Sequence, residues 1–114
     1  GRSLLFPGDL ERAGEEVVVS RVGSLLRSDI LLAPHHGSRY SCSKAFLQMV
    51  RPQTCIVSSG HGNYFGFPHS ETLKRLRSAG SQVVRIDQVG AVQLSLGPNR
   101  FEVVSFLRGP LKMK

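Results

Sequence analysis

"ILLAPHHGSRYS", Ile30 to Ser41, is the stretch on which the reading of the whole chain turns. Its first part, with Asp29 before it, is a continuous apolar run rather than an alternating one, the pattern of a central strand covered on both faces. The run then stops in two adjacent histidines, a glycine and a serine. A chain that only had to turn has Asn-Gly or Asp-Gly for the purpose. Two imidazoles at a strand end are either a local accident or part of a site, and the flanking segments bear on which.

Upstream, "SLLF" (Ser3 to Phe6) reads as a short buried strand stopped by Pro7-Gly8. Asp9 is placed to cap a helix over "LERAGEEVVVSRV", in which Gly14 and three consecutive valines weaken the helical preference. Downstream, Ser41 or Ser43 caps a second helix, "KAFLQMV", which Arg51-Pro52 ends. "TCIVSS" (Thr54 to Ser59) is another buried strand. "GHGNYFGFP" (Gly60 to Pro68) is too long and too aromatic for a simple connector. A third helix has Ser70 as its expected cap, a Glu71–Arg75 pair, an apolar face of Leu73 and Leu76, and Ala79-Gly80 as its end. "QVVRI" is a strand, and "AVQLSL" and "RFEVVSFL" form a hairpin around "GPN". The order β-α-β-α-β-α-β followed by a β-hairpin predicts an α/β sheet layered with helices. No internal repeat divides it, so residues 1–107 read as one unit and 108–114, "RGPLKMK", as a flexible tail.

A chain of 114 residues with 40% hydrophobic side chains is one domain, or a piece of one. No apolar run approaches the roughly 20 residues a bilayer requires, so the segment itself is expected to be soluble. The opening "GRSLLFPGD" enters a strand almost at once, which suggests a piece of a longer protein. Cys42 and Cys55 are too few for a disulfide framework and lack C-x-x-C spacing, so they read as buried thiols. Fifteen Lys and Arg against eight Asp and Glu give a net charge of +7, a surface that attracts polyanions, nucleic acid before anionic lipid. The basic residues, Arg21, Arg27, Arg39, Lys44, Arg51, Lys74, Arg75 and Arg77 among them, are scattered rather than blocked into a tail.

In open α/β sheets, ligands bind beyond the carboxyl ends of the strands. Gly8-Asp9 follows the first strand, His35-His36-Gly37-Ser38 the second, and the Gly60–His69 segment the third, so three successive strands deliver polar groups to one edge. Carboxylate and neutral imidazole are ligands for zinc, manganese and similar ions. A carboxylate bridging two ions roughly 3.5–4 Å apart makes the clamp used in phosphodiester hydrolysis. Gly37 lets a phosphate approach the backbone, and Ser38 can donate to it. The blander alternatives are Asp9 as a helix cap, the histidine pair as a turn, His61 as an exposed loop residue, and His69 as the residue before a cap.

"FPGDLE", "LAPHHGSRYSCS", "SSGHGNYFGFPHSETLKRL" and "VVRIDQVGAV", in that order and spacing, resemble the final part of the metallo-β-lactamase-like domain of ComEC-type DNA-internalisation (competence) proteins. The resemblance runs from about Leu4 to Leu96. It implies the C-terminal half of an αββα sandwich, and a hydrolase with two divalent metal ions, zinc or manganese, acting on DNA. It also implies a parent protein in the bacterial inner membrane. Asp9 matches the aspartate that bridges the metals. The histidine pair matches the last histidine ligand, with His36 on metal and His35 beside the phosphate, or the reverse. Ser38 and His69 are the further candidates for steadying the phosphate, although Phe67 stands where the family often has a histidine.

The family's H-x-H-x-D-H motif does not occur in these 114 residues. Hydrolytic zinc sites need three protein ligands and an open position. Half of a metal-dependent phosphodiesterase, inactive alone, is therefore the expectation, with DNA and the rest of the same polypeptide as partners. Self-association through an apolar face left bare by the missing half is a further expectation. The rival expectation is a non-catalytic basic module that binds DNA or docks on another domain.

Overall fold

Four short parallel strands lie side by side in chain order in the computed structural model, which describes residues 2–113. They are β1 (Leu4–Leu5), β2 (Ile30–Leu32), β3 (Thr54–Val57) and β4 (Gln82–Arg85). Parallel neighbours need crossover connections. These are made by α1 (Arg12–Val22), α2 (Lys44–Val50) and α3 (Ser70–Ser78). A one-turn helix, α4 (Ile86–Val89), then leads into an antiparallel sheet of β5 (Val92–Leu96), β6 (Phe101–Ser105) and β7 (Gly109–Pro110). The α/β class and the closing hairpin thus appear as the sequence pattern predicts, with α4 and β7 in addition.

The register explains why the strands read as continuous apolar runs. Leu5 pairs with Leu31, Leu31 with Cys55 and Cys55 with Val83, one row across the sheet. That row packs with Phe46, Leu47 and Val50 of α2 and Leu76 of α3. The next row, Leu32, Ile56 and Val84, points the other way and packs with Val92, Leu94, Phe101 and Val103 of the antiparallel sheet. Helices, parallel sheet and antiparallel sheet form three layers, and each fully buried Leu, Ile, Val or Phe contributes about 1.5–3 kcal/mol. The far face of the parallel sheet is therefore covered rather than bare. On β6, Phe101, Val103 and Ser105 are buried while Glu102 and Val104 face outward. Large exposed apolar side chains such as Phe6, Leu25 and Phe106 lie in turns and at element ends.

Local details depart from the sequence pattern at three places. Asp9 does not cap α1. Glu11 is extended, and the helix begins at Arg12 without a side-chain cap; the Glu11 carboxylate accepts from Ser38 Oγ, and Leu10 O accepts from Ser41 Oγ at 2.6 Å. Ser43, one of the two expected caps, holds α2 by accepting from Phe46 N. His69 rather than Ser70 caps α3, since its own N–H donates to Gly37 O and fixes it extended one residue before the first turn. The Glu71–Arg75 pair does not form among the described residues. Arg75 instead donates to the carbonyls of Arg39, Ser41 and Cys42 and to Thr72 Oγ1.

The end of the chain also departs from a loose tail. Gly109–Pro110 pairs with β6, Leu111 N donates to Val103 O, and Leu111 and Met113 pack on the inter-sheet core. Residues 1 and 114, the latter part of the expected tail, lie outside the described residues. Among the described residues no helix is long and apolar enough to cross a membrane.

Candidate functional site

The carboxyl ends of β1, β2 and β3 meet as their sequence positions require. His35 N donates to Gly8 O at 2.9 Å, tying the loop after β2 to the loop after β1. His69 N donates to Gly37 O at 2.9 Å, tying it to the loop after β3. Asp9, His35, His36, Ser38 and His69 are thereby drawn to one edge of the parallel sheet.

The histidine loop has an unusual backbone. His35, His36 and Gly37 take φ values of 47°, 56° and 81°, all left-handed. For the two histidines this costs about 1–2 kcal/mol each. Such conformations persist only where the surroundings over-determine them, and they cluster at functional sites. The surroundings here do so. Glu15, fully buried, accepts from Cys42 N at 2.6 Å and Ser43 N at 2.8 Å. Thr72 Oγ1 donates to Ser38 O at 2.7 Å, and Arg75 takes the three carbonyls already named. Gly37 is required by its φ and by proximity, because a Cβ there would lie 2.7 Å from Pro68 Cβ.

The two histidines differ in what their rings touch. His36 is exposed, and its Nδ1 lies 2.7 Å from Ser58 O, so Nδ1 carries a proton and, in the neutral ring, Nε2 keeps a lone pair. Metal-binding histidines are oriented in this way, with the distal N–H on a backbone carbonyl. His35 Nδ1 is buried and lies 3.2 Å from Glu11 Oε2, close enough for an ion pair but not aligned for a hydrogen bond. Its ring packs at 5.7 Å from that of Phe67.

Ser38 and His69 are more committed than their sequence positions suggest. Ser38 is buried, its Oγ donates to Glu11 Oε2 at 2.9 Å, and the same Oγ accepts from Tyr40 N. His69 turns Nδ1 toward Glu71 N at 3.3 Å and Nε2 toward Arg39, 2.8 Å from Nη2 and 3.1 Å from Nε. A neutral imidazole has one acceptor nitrogen, so the cap on Glu71 N and the Arg39 contacts draw on alternative tautomers of His69. Asp9 is exposed in the turn after β1. His61 is exposed in its loop, with Nδ1 3.3 Å from Asp87 O.

Glu11, Arg39 and Phe67 are the site residues that sequence reasoning passed over. Each lies inside a quoted motif, and the contact that gives it a role is distant in sequence: Ser38 for Glu11, His69 for Arg39, the two histidine rings for Phe67. No three His, Cys, Asp or Glu side chains converge closely enough to hold a metal among the described residues. The Asp9 carboxylate and the His36 imidazole are donors of the type that divalent ions take, and a full ligand set would need donors beyond these two. An open groove of about 1260 Å³ flanks the Gly60–Gly62 backbone on the side of Arg85, Asp87 and Arg108, away from the histidine pair. There the carboxylate of Asp87 hydrogen-bonds Arg85 and raises its pKa, holding the guanidinium charged.

No protein-family model matches the chain. It is 40% identical over 97 residues to Competence protein ComA of Neisseria gonorrhoeae, a match covering 85% of this chain and 14% of that protein. It is 38% identical over 93 residues to ComE operon protein 3 of Bacillus subtilis, covering 82% of this chain and 12% of that protein. It is 35% identical over 101 residues to Recombination protein 2 of Haemophilus influenzae, covering 89% of this chain and 12% of that protein. The chain spans about one-seventh or less of the length of these relatives.

Proposed function

We propose that this chain is a segment of a ComEC-type competence protein, one that takes up DNA through the bacterial inner membrane, and that it forms the C-terminal half of a metal-dependent phosphodiesterase domain of the metallo-β-lactamase kind. The similarity to Competence protein ComA supports the first part. The observation that carries the second is the His36 contact: Nδ1 lies on Ser58 O, which leaves Nε2 of the neutral ring as the acceptor, on a strained, braced loop.

Asp9 and His36 would hold a pair of divalent ions, zinc or manganese, together with ligands from elsewhere in the polypeptide. Such ions polarise a phosphoryl oxygen and supply a nucleophile at neutral pH. The chain's own residues do the rest. Glu11 orients His35 toward the phosphate, while Ser38 fixes Glu11 rather than meeting the substrate itself. Arg39, steadied by His69 Nε2, brings a cation to the same edge for the phosphate charge. Alone, the segment lacks the ligands to turn over. The second reading, a basic DNA-binding module without catalysis, is favoured by the +7 charge.

The test is DNA hydrolysis by the longer polypeptide that contains this chain, with and without zinc or manganese. His36→Ala is expected to lower the rate beyond the roughly 10–100-fold typical of losing a metal ligand's outer-shell partner. Metal-independent hydrolysis, or full activity in His36→Ala, would rule the reading out. DNA binding without any hydrolysis would favour the basic module.

A further inference from the structure

Residues 106–108, between β6 and β7, direct two large apolar side chains into solvent. Phe106 is 83% exposed and Leu107 62%. Two further apolar residues adjoin them on the outer face of the antiparallel sheet, where Val104 and Pro110 pair across β6 and β7 and both are exposed. Single apolar residues on a surface need no explanation, but a contiguous group marks an interaction surface.

The turn is held from several sides. Phe106 N donates to Ala91 O at 2.8 Å, and Leu107 N donates to Val89 O at 2.9 Å. Ser105 Oγ accepts from Arg108 N at 3.1 Å and donates to Gly109 O at 3.2 Å. The backbone is fixed while the side chains stay out, so contact with a partner costs little further ordering.

The charges around the turn are of one sign. From Val103 to its end the chain has no Asp or Glu, whereas Arg108, Lys112 and Lys114 are basic. Arg108 and Lys112 are both exposed. Asp87, in the adjoining groove, is already taken by Arg85 at 2.7 Å, and Glu102, on the outer sheet face, lies 3.8 Å from Arg100. An apolar protrusion flanked by free cations matches a surface that is anionic on top and oily beneath. A nucleic-acid backbone would take the cations and leave Val104, Leu107 and Pro110 in water.

We propose that the β6–β7 turn seats this chain on an anionic lipid surface, with Phe106 and Leu107 entering the boundary between headgroups and acyl chains and Arg108 and Lys112 on lipid phosphates. Val89, which takes the Leu107 N–H, ends the short helix that follows β4, so the tip stands at the carboxyl end of the parallel sheet. The histidine loop lies along that same edge, and seating the tip brings the candidate site toward the lipid. Neither metal nor hydrolysis enters this contact, which is independent of the phosphodiesterase reading.

Co-sedimentation of the 114-residue chain with two kinds of vesicle tests the contact: phosphatidylcholine alone, and equal parts phosphatidylcholine and phosphatidylglycerol. The chain is expected to sediment with the anionic vesicles and not with the neutral ones. Phe106→Ser and Leu107→Ser should each weaken binding on the order of tenfold, the worth of one or two buried methylenes at roughly fourfold apiece. Arg108→Gln should weaken it roughly fivefold and lower its salt dependence. The chain has no tryptophan, so Phe106→Trp supplies a single reporter. Its emission should shift to the blue on anionic vesicles and be quenched by brominated acyl chains. All of these side chains are exposed, so the variants should melt with the unsubstituted chain, and a thermal scan checks each.

No binding to anionic vesicles would overturn the proposal. So would equal binding to both kinds of vesicle, or a Phe106→Trp emission that does not move on anionic ones. Serine variants that bind as the unsubstituted chain does, with Arg108→Gln alone impaired, would mean a general polyanion surface and would also overturn it.

Discussion

Gly37→Ala tests whether the histidine loop is held against the segment after β3 as described. The residue has φ +81°, and a Cβ there would meet Pro68 Cβ at 2.7 Å, Pro68 Cα at 3.1 Å and Val57 Cγ1 at 3.3 Å. The left-handed backbone alone costs a non-glycine residue about 1–2 kcal/mol. Forcing a methyl group into a packed contact, one side of which is backbone, adds about 1–3 kcal/mol. The sum, about 2–5 kcal/mol, is a large part of the roughly 5–15 kcal/mol that holds a domain folded. At roughly 4 °C per kcal/mol for a chain of this size, the midpoint should fall by about 8–20 °C. Gly62→Ala is the matched control, with φ +62° and no atom within 4 Å of its Cβ, so only the backbone cost applies. Thermal melts followed by circular dichroism, with amide spectra of the His35–His69 region, read both variants. If Gly37→Ala melts no lower than Gly62→Ala, the close approach of the two loops is wrong.

The remaining predictions concern the frame around the loop. Glu15→Ala should destabilise the fold by about 3–5 kcal/mol in denaturant titration, because two backbone N–H groups, of Cys42 and Ser43, lose their acceptors at about 1–3 kcal/mol each and a cavity opens. Glu15→Gln, which keeps one acceptor oxygen, should cost roughly half as much. Burial pushes the Cys42 thiol up to about 12, aided by the Glu15 carboxylate and opposed by Arg75, and burial raises Cys55 well above its ordinary value. Iodoacetamide at pH 8 should therefore label neither thiol in the folded chain and both in denaturant, and rapid labelling of native Cys42 would contradict the packing under the loop. Asp29 is held below the usual carboxylate range, first by the Ser3 N–H and then by the Ser3 hydroxyl and Arg2, against opposing desolvation. A pKa lower in the folded state means that the unfolded chain binds the proton more tightly, so stability rises with pH through that range. The contribution is present above about pH 3.8 and is lost as pH falls through the folded value; Asp29→Asn should flatten that acid limb, measured by melts from pH 2 to 6.

What the sequence made legible follows from the range of the contacts involved. The runs "DILLAP" and "TCIVSS" declare central strands because both faces are covered, and the register bears this out in the Leu31–Cys55 and Leu32–Ile56 pairs. The hairpin around "GPN" is equally local. The convergence of three strand ends follows from strand order alone. What stayed hidden depends on partners far away in the chain. Asp9 satisfies every local rule for a cap, yet the helix starts only after Glu11, whose carboxylate accepts from Ser38, 27 residues on. Arg75 has Glu71 one turn away and takes carbonyls more than thirty residues distant instead. The sequence leaves His35 and His36 equivalent for the same reason: the contact of His36 Nδ1 with Ser58 O, 22 residues away, is encoded by no spacing within "PHHGS".

The measurement that bears most directly on the account is the nitrogen NMR spectrum of the four imidazoles, His35, His36, His61 and His69, during a zinc titration of this chain. Before metal, His36 should show the Nδ1–H tautomer, with Nε2 unprotonated. On addition of zinc, His36 Nε2 should shift first and saturably, with Asp9 responding alongside it. A proton on His36 Nε2 at the outset, or shifts spread evenly over all four rings, would contradict the assignment of His36 as the metal-binding histidine and the proposed function built on it.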